Sequence, residues 1–189
     1  YAHILSRLRK GRKTVVGHWQ DPKTLERIAV WQRVAAAWAD SQDMRIIRFG
    51  DQMNNVAVTD GDKVEAEIRF GFHVDYVPFS EVMTYFEKVE DKAVDELVAV
   101  YFNEYDHAPE LEDKSTEAYR KVWNSAKAEL TLRAVLEAYG AKAFTSNFDD
   151  LGDVNVEQTG KGFDQIPGLA SQRLMADGYG FGGEGDWKT

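Results

Sequence analysis

Short apolar runs alternate with longer amphipathic segments along the chain, and this alternation limits the possible folds more than any other feature. The runs at 44–49 and 73–77 carry β-branched and aromatic residues, which is typical of buried strands. The segment 116–139 has apolar residues at helical spacing and is followed by Gly140, a natural helix stop. Strands that alternate with helices in this way predict an α/β fold with a mostly parallel sheet.

The beginning of the chain predicts a further strand and helix. The run at 14–19 has the composition of a short strand, and Asp21-Pro22 then supplies a cap and a first residue for a helix that reaches position 39. A strand, a helix and the strand at 44–49 would form a βαβ unit, so we expect its two strands to lie parallel in one sheet. The turn at 39–42 predicts a domain boundary, which we place after residue 43.

Composition and charge exclude several classes of protein. The chain has 23 Lys and Arg residues against 32 Asp and Glu residues, and this net charge of −9 disfavours nucleic acid and anionic membranes as partners. The absence of cysteine excludes disulfides and thiolate metal sites, and it is consistent with a cytoplasmic protein. The longest apolar run has six residues, whereas a membrane helix needs about 18 or more. The sequence begins at Tyr1 and ends abruptly at Thr189, so we expect it to be a piece of a longer polypeptide.

The glycine-rich stretch 178–185 is the first candidate for chemistry. Its Gly180-x-Gly182-x-x-Gly185 spacing matches a dinucleotide-binding fingerprint, which requires a strand before it and a helix after it. A predicted helix precedes the pattern here and only four residues follow it, so nucleotide binding is disfavoured. Glu184 remains as a carboxylate among glycines, which could bind a hard cation, transfer a proton or simply be a solvated acid in a turn.

Six stretches resemble the L-arabinose isomerase family, in the same order along essentially the whole chain. The two longest are RFGDQMNNVAVTDGDKV at 48–64 and GYGFGGEGDWKT at 178–189; the others are VGHWQD at 16–21, AFTSNFDDL at 143–151, IPGL at 166–169 and QRLM at 172–175. The resemblance implies a Rossmann-like, doubly wound sheet, as in the fucose and arabinose isomerase superfamily. It also implies that residues 1–43 end an N-terminal α/β domain and that 44–189 form most of a central α/β domain, with the catalytic C-terminal part missing.

The resemblance implies an aldose–ketose isomerase that converts L-arabinose to L-ribulose, and D-galactose to D-tagatose, by proton transfer through an enediol. The family uses a divalent metal, preferably Mn²⁺ although other divalent cations are possible, held by two glutamates and two histidines. Mn²⁺ accepts carboxylate, imidazole and water ligands together. The family forms closed homo-oligomers whose active sites lie at subunit contacts, and its substrate is a small aldose.

Four residues take candidate roles from the resemblance. Glu184 matches the first family glutamate, which is both a catalytic residue and a metal ligand. Met53 matches a methionine near the substrate, Phe148 matches the aromatic wall of the sugar pocket, and Thr145 is its polar neighbour on the same strand.

The sequence also departs from the family pattern. The second glutamate and both histidines of the family lie beyond Thr189, so we expect this chain alone to be inactive. Ser146 and Asn147 replace threonines that are common in the family motif, and the loop at 152–165 is longer than the family leads us to expect. A sugar-binding or scaffold module without catalysis is therefore the alternative function.

Overall fold

A computed structural model of the chain describes residues 2–149 and 162–189. The chain divides into two compact units, Tyr1–Asp43 and Met44–Thr189. The first unit contains helices α1 (Ala2–Arg7) and α2 (Pro22–Ser41). Asp21 caps α2, because its carboxylate accepts hydrogen bonds from the Lys23 backbone N–H at 3.2 Å and from the Thr24 hydroxyl at 3.0 Å.

The predicted strand at 14–19 is wrong. The structure has no strand there, and the side chains of Val16 and Trp19 are 78% and 72% exposed. The end of this run forms a turn, in which the His18 carbonyl accepts a 3.0 Å hydrogen bond from the Asp21 N–H. Because a strand needs a neighbour for its backbone hydrogen bonds and no described residue pairs with this run, the expected parallel pairing with 44–49 is wrong as well.

The second unit is built on a four-stranded, all-parallel sheet. Its strands are β1 (Arg45–Phe49), β2 (His73–Val77), β3 (Ala143–Ser146) and β4 (Gly180–Gly182), in the order β2-β1-β3-β4. The predicted α/β fold with a parallel sheet is thereby confirmed. Since Phe49 is in register with both Val77 and Ser146, the strands end together. We call the residues that follow these ends (50–53, 147–148 and 183–185) the carboxyl edge.

Strand β4 was not anticipated in the glycine-rich stretch. It pairs with β3, and Ala143 is in register with Gly180. A Cβ atom on Gly180 would lie 3.0 Å from the Cβ atom of Ala143, so glycine lets this short strand fit against its neighbour. Two glycines of the apparent dinucleotide pattern, Gly180 and Gly182, therefore serve as strand residues.

Within the described residues of the second unit, five helices accompany the sheet, and one of them covers the predicted helical segment 116–139. They are α3 (Lys63–Phe70), α4 (Phe79–Phe86), α5 (Asp91–Glu104), α6 (Glu117–Tyr139) and α7 (Gly168–Ala176), and 3-10 turns cover Ala57–Thr59 and Pro109–Glu112. Among the described residues, no helix is both long and apolar enough to cross a membrane. Most of the long loop predicted at 152–165 falls on residues 150–161, outside the described part of the chain.

Alternate residues of β1 point to two different layers. Ile47 and Phe49 pack into the main core, which includes residues of α4, α6 and α7. Ile46 packs on the opposite side with Ala66 of α3 and with Trp187. The sheet is therefore covered on both faces, as parallel sheets generally are, and the carboxyl edge is left for a site.

Candidate active site

Glu184 occupies a tight turn immediately after β4. Its backbone has φ = 62°, in the left-handed region that residues other than glycine rarely adopt. The next residue, Gly185, is buried, and its N–H donates a 3.0 Å hydrogen bond to the carbonyl of Ser146 at the end of β3. Backbone strain of this kind is often found at functional sites, where the surrounding structure holds it in place.

The Glu184 side chain is exposed, and within the described residues its carboxylate has no hydrogen-bond or ion-pair partner. Other acids near the same edge differ, since Asp51 and Asp60 lie 2.8 Å and 3.6 Å from the guanidinium of Arg48. An exposed carboxylate with open lone pairs can accept a proton or provide a hard oxygen ligand to a divalent cation. Glu184 therefore fits one position of a metal site.

The described residues do not form a complete metal site. Across 2–149 and 162–189, no group of three or more His, Asp or Glu side chains could hold a metal ion. Any cation bound at Glu184 would need further ligands from outside this part of the chain. Two of the described histidines pair with other acids, His107 with Glu112 at 2.8 Å and His73 with Glu67 at 3.3 Å.

Met53 lies in the loop that follows β1 and is partly buried. This loop contacts the residues that follow β3 and β4. The carbonyl of Asp51 accepts a 2.6 Å hydrogen bond from the Asn147 side chain, and a Cβ atom on Gly185 would lie only 3.0 Å from the Asp51 carbonyl and from the Gln52 Cα atom. The ends of β1, β3 and β4 are thus packed directly against one another.

Phe148 follows β3 and is 39% exposed, so its ring is available to a ligand. Thr145 is different, because its side chain is completely buried and its hydroxyl oxygen lies 3.5 Å from the carbonyl of Gly183. The structure therefore brings Glu184, Met53 and Phe148 to the carboxyl edge, and it leaves Thr145 beneath that edge. The substrate contacts assigned to these residues remain predictions.

The two longest family-like stretches contact one another below the edge. The Lys188 ammonium donates hydrogen bonds to the carbonyls of Val58 at 2.5 Å and Asp60 at 2.6 Å. Trp187 is buried and packs edge-on against Phe72, with ring centroids 6.4 Å apart. These contacts anchor the segment that follows Glu184 to the segment that follows Met53.

Sequence reasoning assigned no role to Arg48, although it lies in the RFGD motif. Its side chain is only 7% exposed, and its Nη1 atom lies 3.4 Å from the side-chain oxygen of Gln52. Burial and the nearby Arg48 guanidinium lower the pKa of Lys63, and the carboxylates of Asp60, Asp51 and Asp75 oppose this shift. The alternation of side chains along the strand places position 48 in the interior, where a charged residue is unusual. This contrast is the sequence signal that could have identified Arg48.

The protein is an α/β protein with an all-parallel sheet, a class in which ligands bind outside the carboxyl ends of the strands, and Glu184 lies at that edge. The family model of the L-arabinose isomerase central domain matches residues 45–189, and that of the L-arabinose isomerase N-terminal domain matches residues 1–43. The chain therefore belongs to the L-arabinose isomerase family, which confirms the resemblance stated from its motifs.

Similar proteins match the full length of the chain. L-arabinose isomerase of Phocaeicola vulgatus is 69% identical over 189 residues, which is 100% of this chain and 36% of that protein. The L-arabinose isomerases of Bacteroides thetaiotaomicron and Flavobacterium johnsoniae are 68% and 48% identical, with the same coverage. The chain thus spans about a third of the length of these curated relatives.

Proposed function

We propose that this chain is part of an L-arabinose isomerase, an aldose–ketose isomerase that converts L-arabinose to L-ribulose and D-galactose to D-tagatose. The relatives that match all 189 residues bear that enzyme's name. The observation that carries the proposal is Glu184, an exposed carboxylate in a left-handed turn at the carboxyl edge, inside the GEGDWKT stretch. In this proposal Glu184 is a catalytic residue and a metal ligand.

The reaction moves a proton between neighbouring carbons of the sugar through an enediol, so it needs a group that can both accept and return a proton. Glu184 suits this role because no Lys, Arg or His side chain among the described residues pairs with its carboxylate. A divalent cation, proposed to be Mn²⁺, would polarise the carbonyl and hydroxyl oxygens of the sugar when bound. The Glu184 carboxylate would hold that cation together with ligands from the polypeptide beyond Thr189.

Three further residues are proposed to contact or shape the sugar site. Phe148, with its partly exposed ring, offers an apolar wall to the C–H faces of a sugar, and Met53 offers a flexible apolar surface on the neighbouring loop. Thr145 is proposed to shape the substrate-binding site from below, where its buried hydroxyl donates to the Gly183 carbonyl. Recognition of a small sugar by apolar walls with a few polar groups is the usual pattern for such pockets.

We further propose that residues 1–43 are the C-terminal part of an N-terminal domain and that 44–189 belong to a central domain. The same division separates the two compact units and the two family models. The complete enzyme is proposed to be a cytoplasmic homo-oligomer with active sites at subunit contacts. Large apolar side chains that are about half exposed on α2, such as Trp31, Val34 and Trp38, support burial of this helix against further protein.

The experiment is to purify the native polypeptide that carries this chain, measure its intact mass, and assay conversion of L-arabinose to L-ribulose. We expect a mass more than twice 21.4 kDa and an activity that is lost on dialysis against EDTA and restored by Mn²⁺. A polypeptide of 21.4 kDa that binds L-arabinose without metal and does not isomerise it would instead establish the sugar-binding or scaffold module.

A further inference from the structure

Arg48 is a buried charge at the carboxyl end of β1. Its neighbour on the same face of the strand, Ile46, is an ordinary core residue. The Arg48 guanidinium donates to the Asp51 carboxylate at 2.8 Å and lies within 3.6 Å of Asp60, but its Nε atom is buried without a hydrogen-bond partner among the described residues. Because burial of an incompletely paired charge is unfavourable, packing of the strand alone does not explain an arginine at this position.

The hydrogen-bond and ion-pair partners of Arg48 belong to the loop that carries Met53, and the guanidinium also lies 5.9 Å from the ring centroid of Tyr76 on β2. Asp51 and Gln52 begin this loop, and Asp60 follows the 3-10 turn Ala57–Thr59. A guanidinium has several donors in a rigid planar arrangement, so one side chain can hold both ends of a loop at once. Arg48 therefore fixes the path of the chain between β1 and α3.

That loop is in turn the support for the Glu184 turn. The backbone of Asp51 and Gln52 lies close to Gly185. A Cβ atom on Gly185 would lie 3.0 Å from the Asp51 carbonyl oxygen and 3.0 Å from the Gln52 Cα atom. The Asp51 carbonyl also accepts the 2.6 Å hydrogen bond from Asn147, the residue next to the Ser146 carbonyl that holds Gly185. A shift of the Asp51 backbone would consequently move Gly185 and, with it, the adjacent Glu184.

We propose that Arg48 is a positioning residue that sets the location of the Glu184 carboxylate through Asp51, and so determines how well the site binds its divalent cation. The inference rests on the proposed function, because it takes Glu184 as a metal ligand. Residues that orient metal ligands typically change metal affinity or activity by about 10- to 100-fold when they are substituted.

The test measures the affinity of the complete enzyme for Mn²⁺ by calorimetry, alongside kcat, KM and the thermal midpoint. Arg48→Met removes the charge and the hydrogen bonds, and Arg48→Lys keeps the charge without the planar fork. Arg45→Met is the matched control, because Arg45 lies on the same strand and pairs with Asp75 at 2.6 Å but is 47% exposed at the other end of β1. Glu184→Gln is measured in parallel as the reference for loss of a ligand.

We expect Arg48→Met to weaken Mn²⁺ binding by about 10- to 100-fold and Arg48→Lys by a smaller factor, while Arg45→Met stays within about twofold of the parent. If Arg48→Met does not fold, the Mn²⁺ affinities of Arg48→Lys and Arg45→Met are compared instead, and weaker binding by Arg48→Lys supports the inference. Parental Mn²⁺ affinity in the folded Arg48 variants, with weakened binding in Glu184→Gln, would overturn the inference and leave the proposed function standing. Equal weakening by Arg45→Met would also overturn it, and unchanged binding in Glu184→Gln would overturn the proposed function together with this inference.

Discussion

Glu184 at the carboxyl edge and Glu129 on α6 are the same side chain in opposite surroundings. Glu184 is exposed and has no partner among the described residues, whereas Glu129 is 1% exposed and accepts hydrogen bonds from Tyr101 at 2.6 Å, Arg133 at 2.9 Å and Arg173 at 3.0 Å. Three donors occupy most of the lone pairs of the buried Glu129 carboxylate, whereas an exposed carboxylate without partners contributes little to packing. The difference teaches that the partners of a glutamate decide whether its oxygens are held within the protein or are open to a ligand.

The Glu129 network joins three helices. Tyr101 lies on α5, Arg133 on α6 and Arg173 on α7, and Arg173 also reaches Glu104 at 2.7 Å. Burial and the hydrogen bond to Glu129 raise the pKa of Tyr101, so its hydroxyl remains a donor at ordinary pH. This network holds α5 and α6 against α7, the helix that leads into β4.

The largest effect is expected from Glu184→Gln in the complete enzyme. Loss of a group that transfers a proton lowers kcat by about 10²- to 10⁴-fold, while the free energy of unfolding should change by less than about 0.5 kcal/mol because the side chain is exposed. Steady-state kinetics and urea unfolding measure both quantities. Glu137→Gln, at an exposed glutamate on α6, is the control. A Glu184→Gln enzyme with parental kcat would contradict the catalytic role proposed for Glu184.

Glu129→Ala should have the reverse pattern. It leaves the positive charges of Arg133 and Arg173 without their shared buried partner, so we expect unfolding to become easier by about 3–5 kcal/mol. Urea unfolding followed by circular dichroism measures this change, and kcat per folded molecule should stay within about twofold.

Glu137→Ala, on the same helix but exposed, should shift stability by less than about 0.5 kcal/mol. A Glu129→Ala variant that kept its stability and lost its activity would reverse the roles assigned to the two glutamates.

The smallest effect concerns Tyr139 and Glu81, an intermediate case between the two glutamates. The Tyr139 hydroxyl donates to the Glu81 carboxylate at 2.7 Å, and this hydrogen bond raises the pKa of Tyr139 from 10.0 to about 12. A folded-state pKa above the unfolded value means that the stabilisation is complete below about pH 10 and is lost as the pH rises towards 12.

Tyr139→Phe should therefore lower the free energy of unfolding by about 1 kcal/mol at pH 8, with a difference that shrinks above pH 10. Urea unfolding of parent and variant across this range gives the comparison. A difference that is constant from pH 8 to 12 would show that the hydrogen bond to Glu81 does not stabilise the folded protein.

Much of the fold could be predicted because it depends on local patterns. Helix α6 lies where apolar residues recur at helical spacing, and Gly71 and Gly140 end α3 and α6 in the left-handed conformation. The candidate site was predictable only through the GEGDWKT motif, since spacing alone left Glu184 equally consistent with a solvated turn. No local pattern could identify the Glu129 network, because Tyr101 and Arg173 are 28 and 44 residues away in the sequence.

The sequence by itself determined the family and the alternation of strands and helices in the second unit, and it selected Glu184 as the candidate site residue. It could do so because propensities, helix stops and motifs are properties of neighbouring residues. Only the tertiary structure decided that 14–19 is not a strand, that Gly180–Gly182 is one, and that Arg48 holds the loop beside Glu184. A strand exists only when another strand completes its hydrogen bonds, and a charge can be buried only where distant residues pair with it. Both conditions depend on which distant segments meet in the folded chain.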